Sequence, residues 1–276
     1  MEKITTVLAV VEKSATGAAV LDKAVALARN FGARVELLIA DPALTPEFAS
    51  RCATLGHDEV TLASVAREGE SLQQLLARHL ANNTPDLLVK APTHGHGLLD
   101  WVSPSHDREL AYTCAIPVLL AGARPWTIPP RFAVPVDVSD QDGLGIARGL
   151  LHTAGFLALG CHGNLDVLYS EREDKDDRIR MERAVKLAQL VREFYVGCER
   201  LQMFEGSPAQ KLPPLIRARQ YDVLILGSGR DSEPLFEATD GDVLIASTPV
   251  YRAGVGARTA ESSTRQQVAH HAEQLV

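Results

Sequence analysis

The sequence predicts an α/β fold built twice, as two tandem five-stranded parallel sheets with covering helices, the second with a shortened last helix. Three observations predict it: an internal repeat, a regular alternation of short apolar runs with amphipathic stretches, and a proline-rich break between the copies. The repeat comes first, because self-similarity decides the architecture of a chain before any single motif does. Val7 to Glu12 followed by Lys13-Ser14 matches Phe132 to Asp137 followed by Val138-Ser139, so Glu12 falls on Asp137 and Ser14 on Ser139 at an offset of 125. Glu68-Gly69 matches Glu205-Gly206 at 137, and Asp86-Leu87-Leu88-Val89 matches Asp222-Val223-Leu224-Ile225 at 136. Val118 to Ala121 then matches Val243 to Ala246, back at 125. The order of the elements is kept while the insertions between them differ.

In the first copy the apolar runs place strands at 4–11, 34–40, 59–65, 86–91 and 117–121. Alternation of such runs with helical stretches argues for parallel strands joined by crossover helices. Val20, Ala24, Leu27, Ala28 and Phe31 share one helical face, and Leu72, Leu75, Leu76 and Leu80 share another. In the second copy Met181, Ala184, Val185, Ala188 and Val191 predict a core-facing stripe on the longest helix. That helix follows the mixed-charge stretch Glu171 to Asp177, expected as a solvated loop with its acids near the helix N-terminus. Residues 123–130, with Pro125, Pro129 and Pro130, exclude a continuing helix or central strand and are expected as a linker. The expected units are therefore 1–122 and 131–252, with a polar tail at 253–276.

A chain of 276 residues with 46% hydrophobic residues is large enough for two packed cores. Net charge is −7 with pI near 5.7, and no block of five like charges appears, which argues against a nucleic-acid or anionic-membrane surface. The first residues lack the basic-then-apolar order of a signal peptide, and no apolar run reaches the roughly 18 residues of a spanning helix. A cytoplasmic protein is expected. Cys52, Cys114, Cys161 and Cys198 are spaced for neither a zinc ribbon nor a redox pair and are expected as reduced thiols.

An acid closing the first strand of each half, Glu12 and Asp137, and a Thr93-His94-Gly95-His96 loop leaving the fourth strand resemble the tandem form of the universal stress protein family. The resemblance extends to Ser103-Pro104-Ser105-His106-Asp107 and Cys114-Ala115-Ile116-Pro117-Val118, as in the long bacterial branch with a His-x-His loop. It covers nearly all of residues 3 to 252. It implies a Rossmann-like, adenine-nucleotide α-hydrolase-like fold, with the two halves packing as family homodimers do. The sequence is compatible both with a monomer whose halves satisfy each other and with a dimer of such chains.

ATP-binding members of that family carry a glycine-rich loop after the fourth strand, where the backbone must approach phosphate oxygens and aim N–H groups at them. The first half departs from it. Pro92 stands where the first glycine belongs, Gly95 survives, and Ser105-His106 replaces the terminal Gly-Ser, while Glu12 replaces a shorter acid. The second half keeps Asp137 and opens a loop at Gly227-Ser228-Gly229. From strand four to strand five, however, it spans Asp222 to Asp242, where the first half spans Asp86 to Pro117. The missing residues should carry the third glycine and much of the last helix, and the remainder is acidic. Gly227 and Gly229 also fit a plain turn.

Three further features complete the sequence reading. His94, His96 and His106 could present imidazoles to one metal, so zinc joins ATP as a cofactor that the residues leave open. His79 lies on a core-facing stripe and is expected as a satisfied buried histidine, and Trp101 and Trp126 as packing residues near the junction of the halves. No nucleophile elbow, Walker loop or His-Glu-x-x-His helix is present, so no catalytic residue is assigned. The expected role is non-enzymatic binding or regulation in stress response through a small-molecule or protein partner, with slow ATP hydrolysis the one activity left open. The alternatives are an ATP-binding switch and a metal-responsive protein.

Overall fold

The computed structural model describes residues 3–13, 16–55, 60–92, 116–139, 141–171, 177–193, 198–227, 235 and 239–246. The first half runs β1 (Thr6–Val11), α1 (Gly17–Phe31), β2 (Arg34–Ile39), α2 (Thr45–Leu55), β3 (Val60–Val65), α3 (Leu72–Leu80), β4 (Leu87–Lys90) and β5 (Val118–Leu120). The second runs β6 (Arg131–Val136), α4 (Gln141–Gly160), β7 (Asn164–Glu171), α5 (Asp177–Glu193), β8 (Cys198–Glu205), α6 (Pro208–Arg219), β9 (Val223–Gly227) and β10 (Asp242–Ala246). The five strands expected in the first half are all present. The inner strands β1, β4 and β5 are buried at every residue because helices cover both faces of a parallel sheet, whereas the edge strand β3 leaves Thr61, Leu62 and Ala63 exposed.

Local chemistry sets the helix ends. Gly32 takes φ 63° and its N–H caps the Ala28 and Arg29 carbonyls, ending α1 in the left-handed conformation that glycine adopts without strain. Ser71 and Gln74 form a reciprocal capping box at the start of α3. The stripe expected on α5 is corrected. Met181 and Val185 are 67% and 48% exposed; of the expected stripe Val191 packs against the core, and the buried contacts are made by Leu187 and Leu190. Apolar residues lie around more than one side of this helix, so their spacing alone does not select its inward face.

The strands form one continuous ten-stranded sheet in the order β3-β2-β1-β4-β5-β10-β9-β6-β7-β8. Each half is parallel, and the halves join through antiparallel pairing of β5 with β10, Leu119 lying opposite Leu244. The two expected sheets are thus fused edge to edge. Because β5 and β10 run in opposite directions, the C-terminal ends of the two sets of strands emerge at opposite ends of the sheet. Helices α1 and α4 share one face, where Leu21, Leu27, Leu151 and Leu157 belong to a single core. Leu75 of α3 and Ile216 of α6 belong to the core on the other.

The join is fastened by a buried polar cluster. Lys23 Nζ of α1 donates to the Gly122 carbonyl and to Asp242 Oδ1, both at 2.7 Å. The Gly122 N–H donates to the same Asp242 oxygen at 2.8 Å, and Trp126 Nε1 to the other at 2.7 Å. One residue from each half therefore meets the turn between them. On the face shared by α1 and α4, Phe31 stacks on Phe156 at 5.0 Å, repeat mates 125 residues apart. The repeat also reuses one acid: Asp86 Oδ2 accepts from the Thr5 and Thr6 N–H groups at the start of β1, and Asp222 Oδ2 accepts from Arg131 N–H at the start of β6.

Burial pushes the Asp242 carboxyl above the usual carboxylate range, and Lys23 pulls it back. Asp242→Asn leaves the Lys23 ammonium buried without its counter-charge and should destabilise the chain by about 3–5 kcal/mol in urea denaturation. Lys23→Met removes the pull, so the folded-state carboxyl lies further above its unfolded value. A carboxyl raised on folding contributes stability that is full below its unfolded pKa and is lost as pH rises through the folded one. The Lys23→Met chain should therefore lose ground to wild type as pH rises from the ordinary carboxylate range toward neutrality. A pH-independent difference between the two would show that the pair does not carry this coupling.

Candidate functional site at the strand switch points

In an open α/β sheet, ligands sit outside the carboxyl ends of the strands where the strand order reverses. Here that point lies between β1 and β4 in the first half and between β6 and β9 in the second. The two points face opposite ends of the sheet and are independent of each other.

At the first, β1 and β4 pair from Val7–Leu87 to Val10–Lys90, and the strand ends carry Glu12 and Lys90. Lys90 is fully buried. Its ammonium donates to the Ala91 carbonyl at 2.6 Å and lies 3.4 Å from Glu12 Oε2. The acid expected to face a ligand is thus engaged by an internal cation. Lys90 escaped the sequence analysis, although a charge inside Leu87-Leu88-Val89-Lys90-Ala91, where the repeat has Leu226, was its signal.

The second point differs in its main chain. Strands β6 and β9 pair only at Phe132–Val223 and Ala133–Leu224, and beyond these the two strands are not paired. Asp137 follows β6 with its carboxylate exposed, one oxygen accepting from the Ser139 N–H at 2.8 Å. Gly227 ends the neighbouring strand β9, half-buried, at the same end of the sheet. A Cβ on Gly227 would meet Ile146 Cγ2 of α4 at 3.6 Å and Leu150 Cδ1 at 3.9 Å, ordinary contact distances. Packing alone therefore does not demand glycine there. Ile146 is 48% exposed beside this position.

No family model matches the chain. A universal stress protein E homolog of Haemophilus influenzae is 24% identical over 190 residues, which is 62% of this chain and 62% of that protein. The match thus spans less than two thirds of the relative's length. Two solved structures align end to end. One is a functionally unknown protein from Pseudomonas aeruginosa PAO1, at 19% identity and TM-score 0.75, covering 98% of each chain. The other is a candidate universal stress protein from Pseudomonas aeruginosa UCBPP-PA14, at 19% identity and TM-score 0.76, covering 97% of this chain and 99% of that one. The chain has the tandem universal-stress-protein fold.

Within that fold the structure brings Asp137 and Gly227 to one switch point and Glu12 to the other. Gly95, Ser105, Ser228, Gly229, His94, His96 and His106 lie outside the described residues, as do Trp101, the shortened last helix and the tail. Among the described residues no group of three or more His, Cys, Asp or Glu side chains could hold a metal ion. His79 is a buried partner of Glu36, Nε2 to Oε2 at 3.0 Å. Asp166, which holds in β7 the place of Glu36 in β2, centres a network that spacing did not reveal: its Oδ2 accepts from the Tyr221 hydroxyl at 2.7 Å and from Gln202 Nε2 at 3.0 Å. Burial and this carboxylate push the Tyr221 phenol well above its usual range. Trp126 packs edge-on to Phe132 and lines an apolar void of only about 10 Å³, too small for a ligand. No helix among the described residues is long and apolar enough to cross a membrane.

A double-mutant cycle tests the first switch point. Glu12→Gln and Lys90→Met should each destabilise the chain. The pair together should cost less than the sum of the singles by about 1 kcal/mol or more, the coupling expected of groups in contact; additive effects would dissolve the pair.

Proposed function

We propose that the chain is a non-enzymatic binding protein of stress response that takes a small polar ligand at its second switch point. The observation that carries this reading is an exposed carboxylate, Asp137, beside the ends of β6 and β9, which do not pair with each other beyond Ala133–Leu224, Gly227 ending the second of them. At the other switch point the corresponding acid already faces the Lys90 ammonium. The stress-response role is supported by the likeness to the Haemophilus influenzae universal stress protein E homolog. A nucleotide is the first ligand to try, since Asp137 and Gly227 stand where the family resemblance puts nucleotide contacts. The acidic sequence after Gly229 disfavours a bare triphosphate, so magnesium belongs in the assay.

Native mass spectrometry of freshly purified protein, followed by calorimetry with Mg-ATP, tests the reading. One equivalent of ligand per chain is expected. Asp137→Ala should weaken Mg-ATP binding about tenfold or more, the loss expected for a charged hydrogen-bond partner. Gly227→Ala should fold normally yet bind more weakly. Absence of copurified ligand together with no heat from Mg-ATP at millimolar concentration would remove the nucleotide reading. A measured ATP turnover abolished by Asp137→Ala would overturn the non-enzymatic one.

A further inference from the structure

We propose that Pro135 uncouples the C-terminal ends of β6 and β9, so that the walls of the second switch point separate without breaking ladder hydrogen bonds. In a parallel strand, alternate residues turn both N–H and C=O to alternate neighbours. The Pro130 carbonyl accepts from Asn164 N–H on the β7 side, and the Arg131 carbonyl accepts from Asp222 N–H on the β9 side, each at 2.8 Å. Residues 131, 133 and 135 therefore address β9. In the first half Thr6 plays the part of Arg131, its carbonyl accepting from Asp86 N–H at 2.9 Å, so Val10 is the repeat mate of Pro135.

The next bridge, Val134 with Ile225, needs an N–H from residue 135 to the Ile225 carbonyl. Val10 has that N–H, and the first ladder continues through Ala9–Val89 to Val10–Lys90. Proline has none, and the second ladder stops at Ala133–Leu224. The break touches only one side of β6: pairing with β7 runs unbroken from Arg131–Asn164 to Val136–Tyr169. A proline inside a central strand is otherwise disfavoured, and here its single lost donor falls at the switch point, two residues before Asp137. Pro135 is thus a positioning residue, acting on a ligand through the freedom of the strands that flank it.

This inference rests on the binding reading above only for its ligand arm. Pro135→Val supplies the missing donor with the side chain that Val10 carries in the first half, and Pro135→Ala supplies it with a small one. Both full-length variants are followed by amide hydrogen exchange of Ile225, the β9 residue that faces β6 at the break and whose carbonyl would accept the added bond, and by Mg-ATP calorimetry. The expected result is exchange slowed about tenfold, one added hydrogen bond's worth, with Mg-ATP bound correspondingly more weakly. Unchanged exchange in both folded variants overturns the proposal. Slowed exchange with Mg-ATP affinity equal to that of wild type overturns the role in admitting ligand. Slowed exchange when no chain, wild type included, binds Mg-ATP supports the uncoupling and sinks the nucleotide reading instead.

Discussion

The antiparallel pairing of β5 with β10, held by the Lys23–Asp242 contact, is the constraint on which the rest of the structure depends. Neither half buries its fifth strand alone. Joined edge to edge, each supplies the other's missing neighbour and removes an exposed sheet edge. A bare ladder of three residue pairs is short for that task. The ammonium of α1 adds a contact across it, and the same carboxylate takes the Gly122 amide and the Trp126 indole, so the turn between the halves is held in place as well. Two charges taken out of water are costly unless their remaining hydrogen bonds are satisfied. Asp242 accepts at both oxygens, which meets that condition.

From this join follows the placement of the candidate sites. An antiparallel seam between two parallel sets sends their carboxyl ends in opposite directions, so a ligand at one switch point cannot touch the other. Each half can then change without disturbing its twin. The first has placed a buried lysine against its strand-end acid and kept its ladder to the end. The second has left its acid exposed and lost its ladder after two pairs.

How much of this was legible in the sequence depended on whether a residue's partners are local. Strands were readable because a buried parallel strand is a continuous apolar run, and the repeat located Asp86 and Asp222 as a matched pair before their shared hydrogen-bonding role was known. The inward face of α5 was not readable: Ala184 and Ala188 suit either side, and Leu187 and Leu190 had to be chosen by the sheet. Glu12 and Asp137 could be named from the repeat, but their different states could not. One depends on Lys90, 78 positions away along the chain, and the other on a main-chain donor absent at residue 135. Lys23 with Asp242 was equally hidden, as a contact between residues of different halves has no periodic signature.

The contrast between Val10 and Pro135 shows how small a change can separate a closed switch point from a separable one. Both residues sit at the same register and both address the fourth strand, so the two halves share their geometry up to that position. Removing one N–H costs little in the folded state where the strand keeps its other neighbour, and β6 keeps β7 over six residue pairs. The freedom gained is local, because the core side chains Val134 and Val136 remain buried on either side of the break. A strand anchored on one flank and free on the other is suited to move its end by a small distance and return. That places adjustability at the carboxyl ends of the strands, the one region of an open sheet where it can serve a ligand.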